Sequence, residues 1–204
     1  MHPWRERLGR WFTPIARRSP LPPNAITVAS LLLNLIATWL LVAGGRRPAF
    51  FLAAIVLVTL AGFGDALDGL VARVQGKETR FGDLLDHFCD RLSDSLLAAG
   101  WMFGNGVRES LLVAVTIAVM LDGYLGTQIE ATFGSRHYES LGRGEFVLAL
   151  IVFPIVSFIL FSNGWAGLRF GGATVAEWMS ILLLLFAVIG IVQRLVLARR
   201  MERP

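Results

Sequence analysis

The 204 residues include one cysteine, Cys89, and three histidines. An intramolecular disulfide and a cysteine-built zinc framework are therefore both excluded. Charge is scarce as well: 17% of the residues are Asp, Glu, Lys or Arg, against 55% hydrophobic. Soluble domains average about 25% charged residues, so this composition points to an integral membrane protein. No repeat, low-complexity tract or change of composition divides the chain, and it reads as a single domain over residues 1–204.

What the chain has in abundance is apolar runs. A bilayer core needs about 20 residues per helix, and six candidates of that order fall near 25–45, 49–73, 82–104, 110–133, 145–164 and 173–197. The predicted fold class is all-α integral membrane, with six transmembrane helices. The second and third runs reach spanning length only if their polar ends are counted. Before the first run, PWRERLGRWFTPIARRSPLPPN lacks the apolar core of a signal peptide. Trp4, Leu8, Trp11, Phe12 and Ile15 recur there at helical spacing between arginines, which predicts an N-terminal amphipathic interfacial helix and linker over 1–23. Asn24, after two prolines, is the expected cap of the first span.

An even number of spans puts both termini on one side. That side would hold Arg5, Arg7, Arg10, Arg17, Arg18, Lys77, Arg80, Arg136, Arg143 and the tail from Arg194 to Arg203, leaving Arg46, Arg47, Arg108 and Arg169 opposite. The positive-inside bias then places the termini in the cytoplasm. The basic balance reflects topology and anionic headgroups, so no nucleic-acid partner is implied. Trp39, Trp101, Trp165 and Trp178 near the outer helix ends, with Trp4 and Trp11 before the first span, fit an interfacial belt.

Acids inside apolar segments are costly and usually functional. Asp65, Asp68, Gly69 and Ala72 fall three or four residues apart and share a face of the second helix, as Gly82, Asp86 and Asp90 do on the third. The segment VQGKETRF turns the chain round, which predicts two antiparallel neighbours. Asp65 lies eight residues inward of Arg73 and Asp90 eight inward of Gly82, each about 12 Å of helix. Asp65 should therefore face Asp90, and Asp68 should lie near Asp86. Four carboxylates so placed repel one another unless a divalent cation joins them, and an oxygen-only donor set suits Mg²⁺ or Mn²⁺. Gly69, Ala72 and Gly82 leave room between the helices, with Arg73 at the mouth. A diphosphate with a lipid tail would fit there.

The pattern Asp65-x2-Asp68-Gly69-x2-Ala72-Arg73-x8-Gly82-x3-Asp86-x3-Asp90 resembles, at every fixed position, the signature of the CDP-alcohol phosphotransferases. The likeness extends to PNAIT at the start of the first span. It implies a phospholipid-synthesising membrane transferase, homodimeric like its relatives, that moves a phosphate-linked alcohol from a CDP-alcohol to a second alcohol and releases CMP. It further implies that Asp65, Asp68, Asp86 and Asp90 hold one or two Mg²⁺ or Mn²⁺ ions. Asp90 would double as the base, and Gly69, Ala72, Arg73 and Gly82, with Asp68, would form the CDP pocket. The Asn24, Thr27, Ser30 and Asn34 stripe suits interhelical hydrogen bonds, while the same resemblance makes Asn24 and Thr27 CDP contacts. A structural polar cluster or a divalent-cation transporter would use the aspartates but would not require the glycines, Ala72 and Arg73 at these spacings. Asp94 is expected to pair with Arg91, and His87 and Cys89 are expected to be packing residues.

The polar half of the fourth run should line the same cavity, giving Glu130, Arg136 and Arg143 as acceptor-pocket candidates. Inositol-phosphate-accepting members carry Lys and Arg where this chain has Gly126 and Gln128, which argues against a phosphorylated acceptor. The expected reaction is transfer from CDP-diacylglycerol to a polar alcohol. LDHFCD also resembles the branch in which CDP-choline or CDP-ethanolamine meets diacylglycerol, and that alternative stays open.

Overall fold

The computed structural model describes residues 12–134 and 143–201. A short helix, α1 (residues 12–18), leads into six long ones: α2 (Pro23–Ala43), α3 (Ala49–Gln75), α4 (Arg80–Gly104), α5 (Glu109–Phe133), α6 (Arg143–Ser162) and α7 (Val175–Met201). A two-stranded antiparallel ribbon, β1 (Arg169–Phe170) with β2 (Ala173–Thr174), precedes α7. The chain is thus all-helical apart from that ribbon. Helices α2, α3, α5 and α7 are long and apolar enough to cross a membrane. Helix α4 is interrupted by Asp83, Asp86, Asp90, Arg91 and Asp94, and the apolar part of α6, Leu148–Ser162, is shorter.

Local chemistry sets the helix ends. Helix α3 stops at Gly76, whose φ of 65° lets its N–H and that of Lys77 return to the carbonyls of Arg73 and Ala72. Helix α4 restarts at Thr79, whose Oγ1 accepts the Gly82 N–H at 3.0 Å. The cap of α2 is Pro22 rather than Asn24. Pro23 takes the first helical position, where its fixed φ and missing N–H cost nothing, so Asn24 falls inside the first turn and its side chain is left for other work.

The six long helices form a ring in the order α3, α2, α4, α5, α7, α6. A core including Leu41, Phe51, Leu97, Met102, Val115 and Leu183 fills the half of the ring away from the motif. Helices α3 and α4 were expected to be direct neighbours. Instead α2 packs along both, and they make almost no contact with each other. Small residues allow that close approach. A β-carbon at Gly64 of α3 would strike the Ser30 hydroxyl of α2, and one at Gly104 of α4 would strike the Leu41 carbonyl. Helix α2 therefore wedges α3 and α4 apart, and the motif residues face each other across a gap instead of a seam.

Trp101 departs from the expected belt. It is 2% exposed, lies against Phe153 and donates its indole N–H to Ser157 Oγ at 2.9 Å. Pro154 lies inside α6 and is fully buried. Trp39, Trp165 and Trp178 are exposed, as a belt requires. Of the amphipathic N-terminal segment, Trp4, Leu8 and Trp11 lie outside the described residues. Within α1, Ala16 is fully buried against Ile26 and Val71, and Gln75 Nε2 donates to the carbonyls of Ala16 (2.9 Å) and Ser19 (3.1 Å). That clasp fixes α1 to the motif end of α3.

Candidate metal and nucleotide site

Three of the four motif aspartates converge. One oxygen each from Asp65 and Asp68 of α3 and Asp86 of α4 lie within 4.8 Å of one another. Asp68 is the deepest, at 4% exposure. It is held from behind by the wedge helix, since Thr27 Oγ1 donates to Asp68 Oδ2 at 2.6 Å. A buried carboxylate needs such a donor. Thr27, expected at the nucleotide, thus spends its hydroxyl on orienting Asp68.

Asp90 lies one turn beyond Asp86 and does not join the trio. The expected closeness of Asp68 to Asp86 is present in the trio, and Asp65 joins them. The gap opened by α2 means that side-chain reach, rather than helix register alone, decides which acids meet. Asp90 Oδ2 instead lies 3.6 Å from Arg91 Nη2, and Arg91 Nη1 lies 3.6 Å from Asp94 Oδ2. The expected pairing of Arg91 with Asp94 is therefore present.

The motif's small residues have distinct surroundings. A β-carbon at Gly82 would sit 3.0 Å from Asn24 Oδ1 and 3.1 Å from Thr79 Oγ1. Its absence lets Asn24 lean onto the start of α4. Gly69 faces Arg73, whose Nη2 would lie 3.9 Å from a β-carbon there, and Arg73 itself is exposed at the mouth. Ala72 is half-buried one turn beyond Gly69. His87 is held loosely by Asp83 at 3.8 Å, and Cys89 is buried.

On the acceptor side, Glu130 is half-buried in the last turn of α5. Arg143 begins α6, while Arg136 lies outside the described residues. A cation missing from the sequence reading enters from α7. Arg194 donates to the Asp122 carbonyl and lies 3.3 Å from Asp122 Oδ1. Its Nη1 would be 2.8 Å from a β-carbon at Gly126. Gly126 is thus a notch filled by an arginine from another helix. The signal was available: Asp122 and Arg194 are isolated charges in apolar runs, and such charges pair.

The donor set fits a hard divalent ion. All three ligands are carboxylates, no histidine or cysteine among the described residues joins them, and α2 lies between the two helices that carry them. Arg73 adds an exposed cation beside Gly69.

Residues 21–189 match the CDP-alcohol phosphatidyltransferase family. The chain belongs to that family. Among curated relatives, the phosphatidylinositol phosphate synthase of Mycobacterium marinum is 33% identical over 132 residues, covering 62% of this chain and 55% of the relative. The archaetidylinositol phosphate synthase of Pyrococcus horikoshii is 30% identical over 148 residues, 72% of this chain and 74% of the relative. The chain thus spans about half the length of the first and about three quarters of the second. Crystal structures of the Mycobacterium tuberculosis phosphatidylinositol phosphate synthase are similar at 26% identity and a TM-score of 0.69. The form with manganese and citrate covers 92% of this chain and 88% of its own, and the form with CDP-DAG bound covers 93% and 94%.

Proposed function

We propose that this protein transfers the phosphatidyl group of CDP-diacylglycerol to a phosphorylated polyol, with inositol phosphate as the first candidate, and releases CMP. The observation that carries the class of reaction is the convergence of Asp65, Asp68 and Asp86 across a gap lined by the rest of the family signature. Arg194 in the notch at Gly126 supports the acceptor: it returns a cation to the region where the sequence alone suggested that one was lost. The names of the relatives point the same way.

Asp65, Asp68 and Asp86 would hold Mg²⁺ or Mn²⁺, which offsets charge on the diphosphate and on departing CMP when bound. Arg73, Gly69, Ala72, Gly82 and Asn24 would seat the CDP moiety. Asp90 takes the proton of the acceptor hydroxyl. The oxygen then forms its bond to the phosphorus bearing diacylglycerol, and the bond from that phosphorus to the CMP oxygen breaks with its electron pair. Glu130, half-buried in the last turn of α5, is the acceptor-side candidate.

In this reading all six long helices cross the bilayer. Helices α4 and α6 are admitted because the charges of α4 turn toward the site and the proline of α6 is buried. The arginine distribution along the sequence supports a cytoplasmic side for the site. The working unit is a homodimer by family analogy. CMP release by purified protein with Mn²⁺ and CDP-diacylglycerol should require inositol phosphate, with serine, choline and glycerol phosphate ineffective. Turnover only with CDP-choline and diacylglycerol would overturn the donor assignment, and turnover with serine alone would overturn the acceptor.

Thr27→Val should raise the Mn²⁺ concentration needed for half-maximal CMP release by about 10–100-fold, the usual cost of losing a partner of a metal ligand. Thr27→Ser keeps the hydroxyl and should remain close to the parent.

A further inference from the structure

Arg194 comes to the acceptor side from α7, and the residues that aim it lie on α5. Its Nη1 donates to the Asp122 main-chain carbonyl and lies 3.3 Å from Asp122 Oδ1. In a helix that carbonyl already has a partner four residues on, the N–H of Gly126, so a second donor reaches it only by passing residue 126. A β-carbon there would stand 2.8 Å from Arg194 Nη1 and 3.3 Å from its Cζ. The missing side chain admits the guanidinium. Gly123, one residue after Asp122, gives Arg91 of α4 the same kind of opening, so this turn of α5 is gripped from two sides.

Depth places the guanidinium where a second substrate would meet it. Gly126 lies seven residues from the end of α5, Arg194 seven from the end of α7 and Asp68 seven from the end of α3, each about 10 Å of helix. The arginine is therefore level with the candidate metal carboxylates, and α5 stands across the ring from α3. Stability alone does not call for a pair here. Both side chains are 14% exposed, and well-packed apolar residues often serve as well as a buried ion pair or better. The pair is also imperfect as a fastening, since Asp122 Oδ1 is buried without a hydrogen-bond partner and its 3.3 Å contact is out of line.

We propose that Asp122 is a positioning residue that holds Arg194 in the Gly126 notch, where its guanidinium meets the phosphate of a phosphorylated acceptor, and that Gly126 sets this preference by leaving the notch open. The proposal deepens the transferase reading above and rests on it for the acceptor. Its physical core, a phosphate held by an arginine that Asp122 aims, can be read without turnover.

The experiment pairs CMP release at saturating CDP-diacylglycerol and Mn²⁺ with the rise in unfolding temperature that inorganic phosphate gives the purified, metal-free protein. Asp122→Asn should raise KM for inositol phosphate about 10–100-fold, the scale of one hydrogen bond to a charged group, and leave KM for CDP-diacylglycerol unchanged. It should raise the phosphate concentration needed for half the thermal shift by a similar factor. Gly126→Leu, which closes the notch, should do the same in both measurements, and Arg194→Gln should abolish the shift. Because Asp122 acts through Arg194, adding Asp122→Asn to Arg194→Gln should raise KM for inositol phosphate no further. An equal further loss on that background would overturn the positioning role. So would an unchanged or lower KM for inositol phosphate in Asp122→Asn, the lower value making the carboxylate a competitor for Arg194. If Asp122→Asn does not fold, Gly126→Leu carries the same test by displacing the guanidinium. If the parent releases no CMP with inositol phosphate, the acceptor reading fails, while the phosphate-dependent unfolding still decides whether Asp122 aims Arg194.

Discussion

Asp90→Asn should slow CMP release by about 10²–10⁴-fold, the contribution typical of a positioned general base, while binding of CDP-diacylglycerol and Mn²⁺ stays within a few-fold of the parent. The reason is geometric. Asp90 stands outside the trio of oxygens that lie within 4.8 Å of one another, so its loss leaves those three carboxylates in place. The amide has the carboxylate's shape but cannot accept the acceptor's proton at neutral pH. Rapid-quench measurement of CMP, paired with ligand-induced shifts in thermal unfolding, separates the two effects. Full turnover by the variant would remove Asp90 from the role of base. Loss of Mn²⁺ binding would return it to the metal set.

The site was legible in the sequence because its chemistry is written at helical spacing. Asp65, Asp68, Gly69 and Ala72 had to share a face, and so did Gly82, Asp86 and Asp90; no knowledge of the fold is needed for that. The limits of the six long helices were also within reach, since glycines with positive φ at 76 and 134 and the threonine cap at 79 are local devices. What lay beyond reach was the order of the helices in space. Sequence adjacency suggested that α3 and α4 pair, but the small surfaces at Gly64 and Gly104 let α2 take the position between them. That one change of neighbour explains why Thr27 of α2 reaches Asp68 of α3. It also concerns the acceptor. Gly126 looked like a lost cation only because a side chain from α7, 68 residues away in sequence, could not be foreseen in its notch.

Asp68→Asn should be the most damaging single change, lowering CMP release by about 10³-fold or more. A bound metal supplies several kcal/mol of charge stabilisation, and each 1.36 kcal/mol is about tenfold in rate. Asp68 is the most buried member of the trio and the one fixed by a hydrogen bond from α2. The amide oxygen can still accept the Thr27 hydroxyl, so the substitution tests charge rather than shape. The effect on stability should run opposite to the effect on activity. In chelator-treated protein, three carboxylates within 4.8 Å repel one another, and neutralising one relieves that repulsion. Metal-free Asp68→Asn should therefore unfold at a higher temperature than the metal-free parent. Adding Mn²⁺ should raise the parent's unfolding temperature, as binding to the folded state alone requires, and leave the variant's almost unchanged. If the metal-free variant were instead less stable and still responded fully to Mn²⁺, Asp68 would be a structural anchor for α2 and the metal would have to lie elsewhere.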